Sequence, residues 1–232
     1  MKTIGLIGGM SWESTTHYYQ RLNELVVERL GGLHSARLIL WNVEFDEIAR
    51  MQSAGDWEAA GSVLADAAVR LQAAGAEAIL IGANTMHRVA SAVEEAIRIP
   101  LIHVADVTAQ AVRAAGHRRA ALLGTRFTMA EPFYRDRLAA RGLEVAVPTA
   151  AEQDDLHRII FDELVRGKFL PESRERFIAI MRRMQRDGLE AVILGCTEFG
   201  LLIRPEDAPE IPRFDTVELH CRAAVDWMLA DA

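Results

Sequence analysis

The chain carries one pattern twice. Residues 75–85, Gly-Ala-Glu-Ala-Ile-Leu-Ile-Gly-Ala-Asn-Thr, and residues 188–198, Gly-Leu-Glu-Ala-Val-Ile-Leu-Gly-Cys-Thr-Glu, each run an apolar segment into a glycine turn. The turn delivers Ala83 in one copy and Cys196 in the other. A short continuous apolar run bounded by turn residues reads as a strand buried on both faces. Such runs recur at 3–8, 36–43, 77–82, 100–104, 118–124, 143–147, 190–195 and 212–214. Between them lie helix-period segments, among them 14–30, ending at Gly31-Gly32, and 57–74, ending at Gly75. This alternation predicts an α/β fold with parallel sheets flanked by helices.

Two further anchors fall in the same order. Gly5-Leu-Ile-Gly-Gly9 parallels Ala121-Leu-Leu-Gly-Thr125, and Ile99-Pro100 parallels Ile211-Pro212. An offset that stays nearly constant argues for internal duplication. The reading is therefore two similar α/β domains, 1–112 plus 214–232 and 113–213, with a last helix at 216–231 packing back onto the first half. Open α/β sheets bind ligands beyond the carboxyl ends of their strands. Two such domains facing each other would bring both sets of turns to a shared cleft, so the active site is expected at the domain interface.

Composition narrows the function. Of 232 residues, 50% are hydrophobic and 25% charged, the net charge is −7, and no Lys/Arg run stands out, which argues against nucleic-acid and anionic-membrane partners. The apolar start at 3–10 is interrupted by Ser11, Trp12 and Glu13 and reads as a first strand rather than a signal segment. Two cysteines, Cys196 and Cys221, show no metal-type spacing, and free thiols in a cytoplasmic setting are the expectation.

Cys196 follows a buried strand and precedes a helix start, where unpaired N–H groups favour negative charge. A cysteine so placed can have its pKa lowered from about 8.5 toward neutrality, giving a usable thiolate. The plain alternative is a buried structural thiol. Thr197 and Glu198 suit a first helical turn and a grip on an ammonium group. In the matching turn Asn84 can donate and accept, Thr85 can cap the next helix or hold a carboxylate, and Ala83 can do no proton chemistry. Met10-Ser11 and Thr125 follow the first strand of each half and present N–H groups and hydroxyls to an anion. Gly5-x-x-Gly8-Gly9 is not a dinucleotide fingerprint. His87 and His103, near the strand ends, read as buried, satisfied residues rather than supports of the site; His220 and Cys221 read as packing or surface residues of the last helix, and Lys168 as either a cation for an acidic substrate or solvated surface.

Taken together, Gly-Gly-Met-Ser-Trp-Glu-Ser-Thr (8–15), Asn-Thr-Met-His (84–87), Leu-Leu-Gly-Thr-Arg-Phe-Thr-Met (122–129) and Gly-Cys-Thr-Glu (195–198) resemble the aspartate/glutamate racemase family over essentially the whole chain. Within it the resemblance is to broad-specificity or aspartate/glutamate-specific bacterial amino-acid racemases. It implies two domains related by pseudo-twofold symmetry, no pyridoxal phosphate, no metal, an amino-acid substrate and a homodimer. It also implies a pair of cysteines as acid and base: Cys196 is one, and position 83 should hold the other. Substrate contacts map onto Met10, Gln52, Asn84, Thr85, Thr125, Thr197, Glu198 and Lys168. Ala83 departs from that pattern. A cysteine removed in a variant, a natural asymmetry serving one enantiomer, and a single-thiol decarboxylation or isomerisation of small diacids each account for it. The intact motif around Ala83 favours the first two, and an amino-acid-binding module without catalysis is the remaining alternative.

Overall fold

Five consecutive buried residues, Ile4–Gly8, make strand β1, and α1 (Trp12–Leu30) follows because Ser11 caps it. The Ser11 hydroxyl accepts the Ser14 N–H at 3.3 Å, so the helix starts two residues before the expected 14. The chain continues through β2 (Leu38–Asn42), α2 (Phe45–Ala54), α3 (Trp57–Ala73), β3 (Ala78–Ile81) and α4 (Ala90–Ala96). These strands form a parallel sheet in the order β2-β1-β3. The computed structural model describes residues 1–230 and divides into two compact units. This first sheet belongs to the unit Met1–His103, which also takes in residues from His220 on.

The second unit, Val104–Leu219, contains α5 (Val104–Ala114), β4 (Arg119–Gly124), α6 (Arg126–Ala130), α7 (Pro132–Ala140), β5 (Glu144–Ala146), α8 (Ala150–Asp162), α9 (Pro171–Arg186), β6 (Ala191–Gly195), α10 (Phe199–Leu202) and β7 (Arg213–Asp215). α11 (Thr216–Leu229) begins in this unit. Its sheet is parallel in the order β5-β4-β6-β7. Side chains of β4 alternate between two cores. Ala121 and Leu123 pack with Leu156, Ile159 and Phe177, whereas Ala120 and Leu122 pack with Val104, Val112 and Tyr134. Burial on both faces is the reason these strands read as continuous apolar runs.

The matched segments take corresponding places in the two sheets. β1 and β4 lie at the centre of their sheets, each with the later strand of its pattern, β3 or β6, beside it. Ile79 N donates to Pro100 O at 2.9 Å, and Val192 N donates to Pro212 O at 2.8 Å. Here the halves part. β7 is a strand, but the strand expected at 100–104 is reduced to one parallel bridge, Ile79↔Leu101. Pro100 has no N–H to donate, and at Val104 the chain has already turned into α5.

The units divide at 103/104 and 219/220, where the sequence reading divided them at 112/113 and 213/214. The difference comes from packing. Val104, Ala105, Ala109 and Val112 of α5 share a core with Leu122 and Ile193, and Thr216 Oγ1 donates to Leu194 O at 2.8 Å. From His220 on, α11 bonds the first unit: His220 lies 2.9 Å from the Tyr18 hydroxyl, and Lys2 N donates to Met228 O. The helix ends at Leu229; residue 231 of the expected helix and residue 232 of the expected domain lie outside the described residues.

Candidate active site

In the first unit the turn after β1 is built by Gly9, whose φ of +91° suits glycine and whose missing side chain would otherwise strike Val43 O. Gly9 N donates to Thr15 Oγ1 at 2.7 Å. Met10 follows, buried. Met10, Ala83 and Met86 belong to one hydrophobic cluster, and buried Gln52 on α2 reaches the same place, its Nε2 3.1 Å from Met86 Sδ. After β3, Ala83, Asn84 and Thr85 are all buried. Four of the expected positions, Met10, Gln52, Ala83 and its neighbour Asn84, thus share one region of this unit. The segment after Asn84 is a 3-10 turn, Thr85–Val89, with Asn84 at its N-cap. The expected α-helix capped by Thr85 is therefore absent.

Behind this turn stand histidines for which the sequence reading did not favour a role in the site. His87 Nδ1 lies 2.9 Å from Ala83 O; the carbonyl can only accept, so Nδ1 carries the proton. The His103 and His220 rings lie 4.5 and 5.8 Å from the His87 ring. The spacing from 83 to 87, one helical turn, is the sequence signal for the first of these contacts. Nothing local signals the other two, because they come from distant segments.

In the second unit Thr125 follows β4 and caps α6, its hydroxyl accepting Thr128 N at 3.2 Å. After β6 come Cys196, Thr197 and Glu198, all buried. Cys196 Sγ donates to Glu198 Oε2 at 3.0 Å, and Thr197 Oγ1 donates to the same oxygen at 2.8 Å. Burial, and then the Glu198 carboxylate, push the Cys196 thiol well above the ordinary cysteine range. The N–H groups of Thr197 and Glu198 act in the opposite, expected direction and are outweighed. The helix that follows, α10, is four residues long and supplies little dipole. The expected lowered pKa is thus corrected: burial and the Glu198 carboxylate move this thiol upward instead. Lys168 is exposed in the segment between α8 and α9, its backbone N–H donating to Glu163 O.

Residues 7–224 match the Asp/Glu/Hydantoin racemase family. The chain belongs to that family. A crystal structure of an Asp/Glu racemase candidate from Yersinia pestis is 45% identical, with a TM-score of 0.91 over 99% of this chain and 100% of that one. An aspartate racemase homologue from Pyrococcus horikoshii OT3 is 36% identical, with a TM-score of 0.85 over 99% and 100%. The broad specificity amino-acid racemase RacX of Bacillus subtilis is 20% identical over 98% of each chain. The two parallel sheets flanked by helices are the architecture of this racemase family. Among the described residues no group of three or more His, Cys, Asp or Glu is arranged to hold a metal, and no helix is long and apolar enough to cross a membrane.

Proposed function

We propose that this member of the racemase family is an amino-acid racemase of the aspartate/glutamate type in which Cys196 is the acid/base that moves the α-proton. The observation that carries the reading is a buried thiol at the end of a central strand, flanked by Thr197 and Glu198, in a chain matching that family from 7 to 224. The α-carbon of an amino acid is a weak acid, so its carboxylate must be stabilised as charge moves onto it. Fixed N–H groups and hydroxyls do this without reorganisation. Met10, Gln52, Asn84, Thr85, Thr125, Thr197 and Lys168 are the proposed substrate contacts, with a small amino acid as partner.

One thiol serves one face of the α-carbon. Inversion needs a second acid/base, and the family pattern assigns it to position 83, where this chain has a methyl group. Net racemisation is therefore slow or absent, while exchange of the α-proton of one enantiomer persists. Incubating each enantiomer of aspartate and glutamate in D2O tests this. Deuterium should enter one enantiomer only, Ala83→Cys should restore interconversion, and Cys196→Ala should abolish exchange. Absence of exchange in both enantiomers together with no rescue by Ala83→Cys overturns the reading.

One observation favours a second reading, a single-thiol decarboxylase of malonate-type diacids. Cys196 Sγ donates a hydrogen bond to Glu198 Oε2, and such a reaction needs a proton donor at its end rather than a base at its start. Loss of CO2 leaves the bond's electron pair on an enediolate, and the Cys196 S–H protonates that carbon. Release of CO2 from a substituted malonate, abolished in Cys196→Ala, would select this reading over the first. Ligand-induced thermal stabilisation with neither reaction would instead mark a binding module.

A further inference from the structure

We propose that His87 is a positioning residue: it holds two successive carbonyls, Ala83 O with its ring and Asn84 O with its backbone N–H, and so fixes how the side chains at 83 and 84 leave the turn. It rests on the racemase reading, in which position 83 is the place of the second acid/base and Asn84 contacts the substrate.

The geometry follows from how the segment winds. In an α-helix the N–H of one residue closes on the carbonyl four residues back. Thr85–Val89 is a 3-10 turn, and the His87 N–H closes instead on Asn84 O, three residues back, at 3.1 Å. Ala83 O is thereby left to another donor, and the His87 ring supplies it from Nδ1 at 2.9 Å. Helical side chains lean toward the preceding turn, which is why a histidine at this spacing reaches back. Immediately before position 83 the chain is tied to β1, Gly82 N donating to Ile7 O at 2.8 Å. A planar peptide whose oxygen is held has little freedom to rotate, and the Cα atoms at its two ends, those of Ala83 and Asn84, are fixed with it.

The ring is held in its turn. The His103 and His220 rings pack edge-on against it, with centroids 4.5 and 5.8 Å away. His220 is anchored between the Tyr18 hydroxyl at 2.9 Å and Ile102 O at 2.7 Å. All these residues belong to the first unit, and the three histidines are buried. A side chain packed this closely keeps one rotamer, so the clamp is set before any ligand arrives. The consequence separates two activities. Exchange at one face of the α-carbon uses Cys196, whereas inversion also needs the group at position 83 correctly placed.

The test places His87 substitutions in the Ala83→Cys protein. His87→Phe keeps a ring and removes the donor, and His87→Asn returns an N–H at the Nδ1 position. Losing a hydrogen bond eases local opening, so iodoacetamide should alkylate the introduced thiol about fivefold faster in His87→Phe. Peptide mass mapping separates Cys196 and Cys221, and His87→Asn should bring the rate back. The second readout is the ratio of enantiomer interconversion to one-face deuterium exchange. A smaller folded fraction lowers both alike and leaves the ratio unchanged. A misplaced group at position 83 lowers it, by about tenfold or more in His87→Phe, and His87→Asn should restore it. An unchanged alkylation rate or an unchanged ratio in His87→Phe overturns the proposal. So does a His87→Asn protein that behaves as His87→Phe does in either readout. Should His87→Phe fail to fold, His87→Gln, whose amide falls at the Nε2 position, replaces it with the same expectations. The expected alkylation pattern without exchange or interconversion in any variant keeps the clamp and rejects the racemase reading. Interconversion in Ala83→Cys with a ratio indifferent to His87 does the reverse.

Discussion

Gly9 shows how much a single residue can carry beside this site. Its φ of +91° lies in the region that side chains rarely adopt, and an added Cβ would meet Val43 O, a backbone atom that cannot swing aside. Gly55, at the end of α2, also has a positive φ, 72°, but open space around it. Gly9→Ala combines backbone strain with a steric conflict and is expected to cost about 2–4 kcal/mol, read as a lowered urea midpoint. Gly55→Ala carries the backbone term alone and should cost about 1 kcal/mol. Equal losses at the two positions would show that the contact with Val43 does not matter.

At the scale of elements, α8 is held at its start by Glu152, which serves two partners. Its Oε2 accepts Thr149 N at 2.9 Å, completing a capping box, and both its oxygens take Arg183 of α9 at 2.8 and 2.6 Å. Burial alone would raise this carboxyl. The Arg183 guanidinium and the Thr149 N–H and hydroxyl more than offset it, and the net shift is downward. A carboxyl depressed in the folded state adds stability above its unfolded pKa of about 4.3, and that stability is lost as pH falls through the lower folded value. Glu152→Gln should cost about 1–2 kcal/mol at pH 7 and remove this part of the acid limb of a urea-midpoint-against-pH curve. An acid limb identical to the wild type would contradict the assignment. Asp106, half-buried but held down by Arg137 and Arg141, titrates with the same sign.

At the scale of the whole molecule, His220 ties α11 into the first unit. Nε2 lies 2.7 Å from Ile102 O, which can only accept, so Nε2 carries the proton and Nδ1 accepts from the Tyr18 hydroxyl. Burial pushes this imidazole down to about 4, only partly opposed by the bond to Ile102. A base depressed in the folded state is neutral there, and the unfolded chain takes up its proton first. Stability from this group is complete above the unfolded value of about 6.5 and declines as pH falls toward 4, by about 3 kcal/mol in all. Urea midpoints between pH 7 and 4 should fall accordingly, and His220→Gln should flatten that segment while lowering stability at pH 7. A wild-type midpoint constant from pH 6.5 to 4.5 would refute this.

Most of the architecture was legible in the chain because buried parallel strands leave a local mark. Seven expected strands lie within two residues of β1–β7 at each end; Ile, Leu, Val and Ala fill both faces of β1, β3, β4 and β6, whereas β2, β5 and β7 are only partly covered. The turn positions were legible for the same reason: Gly82-Ala83 and Gly195-Cys196 end such strands. What failed depended on burial and on side-chain contacts that no local pattern fixes. The run at 100–104 has strand composition, yet Val104 is claimed by the core it shares with Leu122 and Ile193. The cysteine's position after a strand argued for a thiolate, and burial with the Glu198 carboxylate reversed it. The sequence by itself determined the α/β alternation, the repeat and the residues at the strand ends, because these follow from periodicity and local turn chemistry. Only the tertiary structure decided which way the Cys196 thiol is pushed and the partners of His87 and His220, because charge and hydrogen bonding depend on which groups burial brings together.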